Sequence, residues 1–301
     1  MMKNKTIPFL VLLLGGLFFP LALHAKDLSV ITTIFPLKEF AQAVGGERVK
    51  VDQLLPPGAE AHTWEPRPSD IVKLSQADVF IYIGAEMEPW VHGILKAIEN
   101  PKLVTIEASQ GLSLLKADQT EEALGEEHHH GQESKHNGFD PHIWLNFDYD
   151  QKMVDEIYEA LSKKDPDSSE YYWRNAQAYK VKLNDLDRKY QSGLTACASK
   201  EFILGSHAAF AYLAKKYGLK QIPLYGISPN AEPTPKKMAE VITLAKKYRV
   251  RAIYYEELVS DKLAKTIAQE VGAKVLVLTP GANLTKKQIE AKVTFLDLME
   301  Q

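Results

Sequence analysis

A long helical pattern near the middle of the chain constrains the fold more than any other feature. Between Ser168 and Gly193 apolar residues recur at alternating intervals of four and three, with no glycine or proline inside. This spacing predicts one amphipathic helix, and at the usual rise per residue it is about 40 Å long. We expect residues 166–195 to form a rigid connection between two lobes. The residues of the apolar stripe are Tyr172, Ala176, Tyr179, Leu183, Leu186 and Tyr190.

On either side of this helix, short β-branched runs alternate with helical spacing. The predicted strands are residues 27–36, 49–55, 79–83 and 103–106, then 202–204, 221–225, 252–255 and 274–278. The predicted helices are residues 36–44, a helix beginning at 69, 88–100 and 149–161, then 207–217, 234–248 and 260–271. We expect Ser69 to cap one helix, and Thr234 to cap another with Pro235 at its first position. Alternation of this kind favours an α/β fold of two lobes, residues 26–165 and 196–301, each a parallel sheet flanked by helices.

The first 25 residues read as a secretory signal peptide. Lys3 and Lys5 precede an almost wholly apolar run over residues 7–23, and Ala25 offers a small residue at the cleavage point. An uncleaved membrane anchor is the alternative, although Pro20 interrupts the run. We therefore expect an exported, periplasmic protein whose mature chain begins near Lys26. No cysteine lies near this junction, so a lipid-attached start is not expected.

The chain has 301 residues, and its composition is that of an ordinary globular protein, with 45% hydrophobic and 25% charged residues. Its formal net charge of −3 gives no basic field for nucleic acid, so no nucleic-acid partner is expected. Cys197 is the only cysteine, which excludes an internal disulfide. We expect this side chain to be a small buried apolar group.

A polar, acidic and histidine-rich tract over residues 117–139 shows no periodicity and predicts a loop. One interpretation is a solvated linker. The other is weak, exchangeable metal binding by its imidazoles, with lower affinity than a preformed site because each capture event must order the chain. The histidines of this tract are His128, His129, His130 and His136.

Three solitary histidines, His62, His142 and His207, lie outside that tract. His62 and His207 each follow a predicted strand, and open α/β sheets bind ligands beyond the carboxyl ends of their strands. His142 follows the acidic tract. The intervals of 80 and 65 residues match no local zinc motif. The residues alone therefore leave open whether the three converge on a metal or serve as separate surface and core histidines.

Three segments carry a resemblance to a known family: Leu55-Pro56-Pro57-Gly58-Ala59 through Asp70, Asp140-Pro141-His142-Ile143-Trp144-Leu145, and Gly205-Ser206-His207-Ala208-Ala209-Phe210. Together they resemble the signature stretches of ABC-transporter solute-binding proteins for zinc and manganese, and the likeness covers nearly all of the mature chain. It implies two α/β lobes bridged by a rigid helix, with metal in the cleft between them. It also implies His62 and His142 as ligands from the first lobe, and His207 from the second.

The zinc branch of that family is the better match, because manganese members usually carry Glu at the position of His207. Three imidazoles suit Zn²⁺, whereas Mn²⁺ prefers more oxygen. The family often supplies a fourth ligand, Asp, from a Leu-Asp-Pro turn, which here reads Leu278-Thr279-Pro280. Water, Glu60 or Glu256 could take that place. The last helix ends at Gln301, whereas relatives usually continue.

The resemblance implies a monomer that captures Zn²⁺ and delivers it to a membrane permease driven by a cytoplasmic ATPase. A manganese carrier of the same class is one alternative. A zinc hydrolase is another, although the sequence contains neither a His-Glu-x-x-His nor a Gly-x-Ser-x-Gly motif. An adhesin-like surface role is the third. We expect no enzyme activity.

Overall fold

A computed structural model describes residues 27–117, 138–227 and 233–301. The predicted signal peptide, the four histidines of the acidic tract and any metal binding by that tract lie outside the described residues. Lys116 and Phe139 form an antiparallel bridge where the chain leaves and re-enters the described part. Among the described residues, no helix combines the length and apolar character needed to span a bilayer.

The first sheet has four parallel strands in the order β2-β1-β3-β4. Its strands are β1 (Leu28–Thr32), β2 (Val49–Gln53), β3 (Val79–Tyr82) and β4 (Val104–Glu107). In β1 and β3, apolar side chains are buried on both faces, because helices cover both sides of the sheet. The flanking helices are α1 (Phe35–Gly45), α2 (Pro68–Ser75), α3 (Val91–Ala97) and α4 (Phe147–Lys164).

The second sheet repeats this arrangement with the order β6-β5-β7-β8, again all parallel. Its strands are β5 (Glu201–Leu204), β6 (Lys220–Pro223), β7 (Ala252–Tyr255) and β8 (Lys274–Val277). Its helices are α6 (Ala211–Tyr217), α7 (Pro235–Lys247) and α8 (Lys262–Val271). The prediction of two α/β units with parallel sheets is therefore confirmed.

Between the two sheets runs helix α5 (Ser169–Thr195), which confirms the predicted long helix. Its stripe buries Tyr172, Ala176 and Leu183 completely against α1 and α4. A second link between the halves is ionic. The largely buried ammonium of Lys216 in α6 lies 2.5 Å from Asp148 and 3.1 Å from Asp187.

After β8 the chain returns to the first half and ends there in two short helices, α9 (Lys286–Glu290) and α10 (Phe295–Glu300). The amide of Phe35 donates to the carbonyl of Ala282, and Tyr190 of α5 donates to the carbonyl of Met299. Phe295 is fully buried and packs edge-on against Phe40, with ring centroids 5.2 Å apart. The final segment thus completes the core around α1 and α5.

Several predicted helix ends were wrong because side chains or backbone groups there bond elsewhere. The helix expected at residue 207 begins at Ala211, since Ala208 donates its amide to the carbonyl of Gly226. The helix expected from residue 88 begins at Val91, because the carboxylate of Glu88 accepts the amides of Ile83 and Gly84.

Two capping predictions had different outcomes. Thr234 caps α7 by accepting the amide of Lys237, and Pro235 is its first residue, as predicted. Ser69 does not cap α2, which begins one residue earlier; there the Asp70 carboxylate accepts the amide of Arg67.

The prediction for Cys197 was also wrong, because this residue is exposed in the turn after α5.

Truncating Phe295 tests whether the final helix is part of the first core. We expect Phe295→Ala to lower the free energy of unfolding by about 3–5 kcal/mol, because it removes a buried ring and leaves a cavity. Calorimetric or denaturant unfolding measures this change. Leu276→Ala, at a side chain 43% exposed on β8, is the matched control and should change stability by less than about 0.5 kcal/mol. Equal small effects of both variants would show that the final helix is not part of that core.

Candidate metal centre

The three solitary histidines come together at one point between the two sheets. Nε2 of His142 lies 3.1 Å from Nε2 of His62 and 3.2 Å from Nε2 of His207. The ligand atoms of the three residues all lie within 4.8 Å of one another. In a tetrahedral zinc site with Zn–N bonds near 2.0–2.1 Å, ligand nitrogens are about 3.3 Å apart. The observed spacing is therefore close to that of a zinc coordination sphere.

His142 is held in a turn by Asp140. The carboxylate oxygen Oδ1 of Asp140 accepts both the backbone amide of His142, at 2.9 Å, and a contact from its ring Nδ1, at 2.8 Å. With its proton on Nδ1, the imidazole presents a bare Nε2 to the cleft. Tyr212 of α6 holds the same turn from the second half by donating to the carbonyl of Asp140 at 2.8 Å.

His207 has a carboxylate neighbour of the same kind. Its Nδ1 lies 2.6 Å from Oε1 of Glu256, and both side chains are buried. The two residues meet because His207 follows β5 and Glu256 follows β7, and these strands pair at the switch point of the second sheet. Ligands of open α/β folds bind at such points. Oε1 of Glu256 and Nδ1 of His207 lack the geometry of a hydrogen bond, so Glu256 lies against His207 and lines the same cavity.

His62 is the most exposed of the three, in the loop between β2 and α2. Its amide donates to Oε1 of Glu60 at 3.1 Å. Glu60, Thr279 and Glu256 line the same cavity as the three imidazoles. The hydroxyl oxygen of Thr279 accepts the amide of Gly281, so this side chain is already engaged in its own turn.

Burial governs the titration of the site. Desolvation, reinforced by the neighbouring imidazoles, holds the pKa values of His62 and His142 well below the ordinary 6.5. Both rings therefore stay neutral, and able to bind metal, at a lower pH than a free histidine would. Burial also raises the pKa of the Asp140 carboxyl to about 7, an effect that the amide of His142 and the nearby His207 only partly offset.

Sequence reasoning missed Asn283, and it named Trp144 without predicting the contact that this residue makes. Asn283, buried on the returning segment, donates from its amide nitrogen to the carbonyls of Pro56 and Ala59. Trp144, two residues after His142, donates from Nε1 to the carbonyl of Pro280 at 2.7 Å. Neither contact has a local sequence signal, because the partners lie more than 130 residues apart.

Two parallel α/β halves with three imidazoles converging between them define a solute-binding protein of the metal-binding class. Comparison with known families agrees. Residues 30–301 match the family model described as zinc-uptake complex component A, periplasmic. The chain belongs to this zinc-uptake family, which confirms the predicted solute-binding class and the expectation that the protein is not an enzyme.

Individual relatives extend this result. The chain is 40% identical over 274 residues to the high-affinity zinc uptake system protein ZnuA of Bacillus subtilis (strain 168), covering 91% of this chain and 85% of that protein. It is 38% identical over 301 residues to the zinc-binding lipoprotein AdcA of Streptococcus pneumoniae (strain ATCC BAA-255 / R6). This match covers 99% of the chain but only 59% of that relative's length.

A solved structure has the same fold. The Zn(II)-bound ZnuA-like domain of Streptococcus pneumoniae AdcA superposes with a TM-score of 0.76 at 36% identity, covering 91% of this chain and 96% of that domain. The likeness spans both sheets and the long helix, since so little of either chain is left out.

Asp140 gives a prediction about protons. At pH 6 its carboxyl is largely protonated in the metal-free protein, because its pKa is about 7. A bound divalent cation favours the carboxylate, so metal binding should expel about one proton from this residue. Calorimetric titration with Zn²⁺ in buffers of different ionisation enthalpy counts the protons released.

In Asp140→Asn the number of protons released on Zn²⁺ binding at pH 6 should fall by about one. The difference from the unmodified protein should vanish above about pH 8, where the Asp140 carboxyl of the unmodified protein is already ionised. Asp52→Asn, at an exposed aspartate of β2, is the control and should leave the count unchanged. An unaltered count in Asp140→Asn would contradict this account of the proton's source.

Proposed function

We propose that this protein captures Zn²⁺ outside the cytoplasm with Nε2 of His62, His142 and His207, and passes it to an ABC permease for import. The convergence of the three Nε2 atoms, at 3.1 and 3.2 Å, is the observation that carries the proposal. The zinc-uptake family and the zinc-bound neighbour support it. No bond is made or broken in this function, so coordination and release are the whole of the chemistry.

The donor set favours zinc over manganese. Three neutral imidazoles suit a borderline cation, whereas Mn²⁺ prefers carboxylate, carbonyl and water oxygens. His142 and His207 each have a buried carboxylate beside Nδ1, and the one that hydrogen-bonds its ring, Asp140, raises the basicity of the metal-binding nitrogen. These carboxylates, Asp140 and Glu256, also offset part of the charge of a divalent ion held in a buried site.

For the fourth coordination position we propose Glu60 or a water molecule. Oε1 of Glu256 lies 2.6 Å from Nδ1 of His207, and the hydroxyl of Thr279 accepts the amide of Gly281, so both side chains are less available. Among the described residues, Glu60 bonds only within its own loop, where it accepts from the amide of His62 and the hydroxyl of Thr63. A small rotation of the Glu60 side chain would exchange these contacts for the metal.

The remaining parts of the chain fit a delivery cycle. We propose residues 1–25 as the export signal, the periplasm as the destination, and residues 26–165 and 196–301 as the two lobes about the helix of 166–195. Helix α5 and the returning segment both connect the halves and limit their relative movement. We therefore expect Zn²⁺ to be released to the permease and its ATPase with only a small displacement of the halves. The four histidines at 128, 129, 130 and 136 are proposed as weak accessory zinc ligands.

Removal of one imidazole tests the assignment. Loss of a residue that orients a metal ligand weakens metal binding by up to roughly 100-fold. We expect His207→Ala to weaken Zn²⁺ binding by more than this, because the substitution removes a ligand itself. Competition with a chelator of known affinity measures the dissociation constant on protein stripped of metal. His92→Ala, at an exposed histidine of α3, is the control and should bind as the unmodified chain does. Unchanged tight binding by His207→Ala would refute the proposed site.

A further inference from the structure

The three imidazoles are not anchored in the same way. The Nδ1 atoms of His142 and His207 each lie within 2.8 Å of a buried carboxylate oxygen, from Asp140 and Glu256. Within the described ranges, Nδ1 of His62 has no carboxylate neighbour of this kind. The position of the His62 ring therefore depends on the position of the loop that carries it.

Hydrogen bonds join residues 56–61 of that loop to the rest of the described chain at one place. In the described part of the chain, every hydrogen bond from residues 56–61 to another segment ends on Asn283 or Leu284. The side-chain amide of Asn283 donates to the carbonyl of Pro56 at 2.7 Å and to that of Ala59 at 2.9 Å. The amide of Gly58 donates to the carbonyl of Leu284 at 2.9 Å.

Asn283 is itself fixed on its other side. Its Oδ1 accepts the side-chain amide of Gln53 at 3.1 Å and the backbone amide of Leu284 at 2.9 Å. The side chain is 6% exposed, and both of its donor hydrogens and both acceptor positions are used. A buried amide with every position satisfied is rigid, because moving it would leave polar groups without partners.

We propose that Asn283 is a positioning residue for His62, which it holds against His142 and His207 through the carbonyls of Pro56 and Ala59. This inference rests on the proposed function. Asn283 takes the place that the carboxylates of Asp140 and Glu256 have for the other two rings, but acts through the backbone of a loop. It lies on the segment that returns from β8, so it also joins the His62 loop to the end of the second sheet.

The physical consequence concerns how long the metal stays bound. Without Asn283 the carbonyls of Pro56 and Ala59 lose their partner, and the loop can carry His62 away from the other two nitrogens. If the His62 loop must be ordered at each binding event, the affinity for Zn²⁺ falls. We expect most of this loss to appear as faster dissociation of the metal. Residues that orient metal ligands typically contribute roughly 10- to 100-fold to affinity.

A double-mutant cycle tests the proposal with Zn²⁺ as the probe. We expect Asn283→Ala to raise the zinc dissociation constant roughly 10- to 100-fold, with most of the change in the dissociation rate measured by a chelator chase. In a His62→Ala background the same substitution should have almost no further effect, because the residue through which it acts is gone. The visible absorption spectrum of bound Co²⁺ should differ between the Asn283→Ala single variant and the unmodified protein, because the coordination geometry changes.

Tyr190→Phe is the matched control. It removes the hydrogen bond from Tyr190 to the carbonyl of Met299, which also ties the returning segment to the first half but touches no histidine loop. Its zinc dissociation rate and Co²⁺ spectrum should match those of the unmodified protein. Should Asn283→Ala fold poorly, Asn283→Ser keeps one donor and should give an intermediate loss of affinity.

The outcomes separate this inference from the proposed function. If His62→Ala loses affinity while Asn283→Ala does not, Asn283 has no positioning role and the zinc site stands. An equal loss from Asn283→Ala with and without His62 would show a general structural effect, which also overturns the inference. If His62→Ala binds zinc as tightly as the unmodified chain, the ligand assignment fails, and the role of Asn283 fails with it.

Discussion

The orientation of imidazole rings by buried carboxylates is the interaction on which the rest of this structure depends. Asp140 and Glu256 are both buried, and each lies against the inner nitrogen of one histidine. Burying acidic groups is unfavourable unless they are paired or protonated. Here Asp140 is hydrogen-bonded to His142, while Oε1 of Glu256 lies 2.6 Å from Nδ1 of His207 without the geometry of a hydrogen bond. Both rings present Nε2 towards one point. These groups together give the site the geometry of a metal centre.

Each half of the molecule contributes to this arrangement through its topology. The parallel sheet places His207 and Glu256 at the ends of neighbouring strands, although 49 positions separate them in the chain. The first half contributes a short turn for His142 and a long loop for His62, and the returning segment fastens both through Pro280 and Asn283. The site is thus a property of the assembled fold, and no single segment contains it.

Local patterns were enough to predict the long helix, the two parallel sheets and the Thr234 cap, because periodicity and capping act over a few neighbouring residues. The sequence also singled out His62, His142 and His207, which the structure brings together; their role as ligands stays a prediction. Other features could not be predicted in this way. The pairing of His207 with Glu256 depends on strand order, and the contacts of Asn283 join residues more than 220 positions apart. The late start of α6 likewise follows from a distant carbonyl at Gly226.

The burial of Phe295 against Phe40 has a consequence for how the chain matures. The hydrophobic interior of the first half needs a segment that lies about 255 positions after Phe40, so this half cannot reach its final packing until that segment has been made. The second sheet, whose last strand β8 ends at Val277, is therefore synthesised before the first half can close its interior.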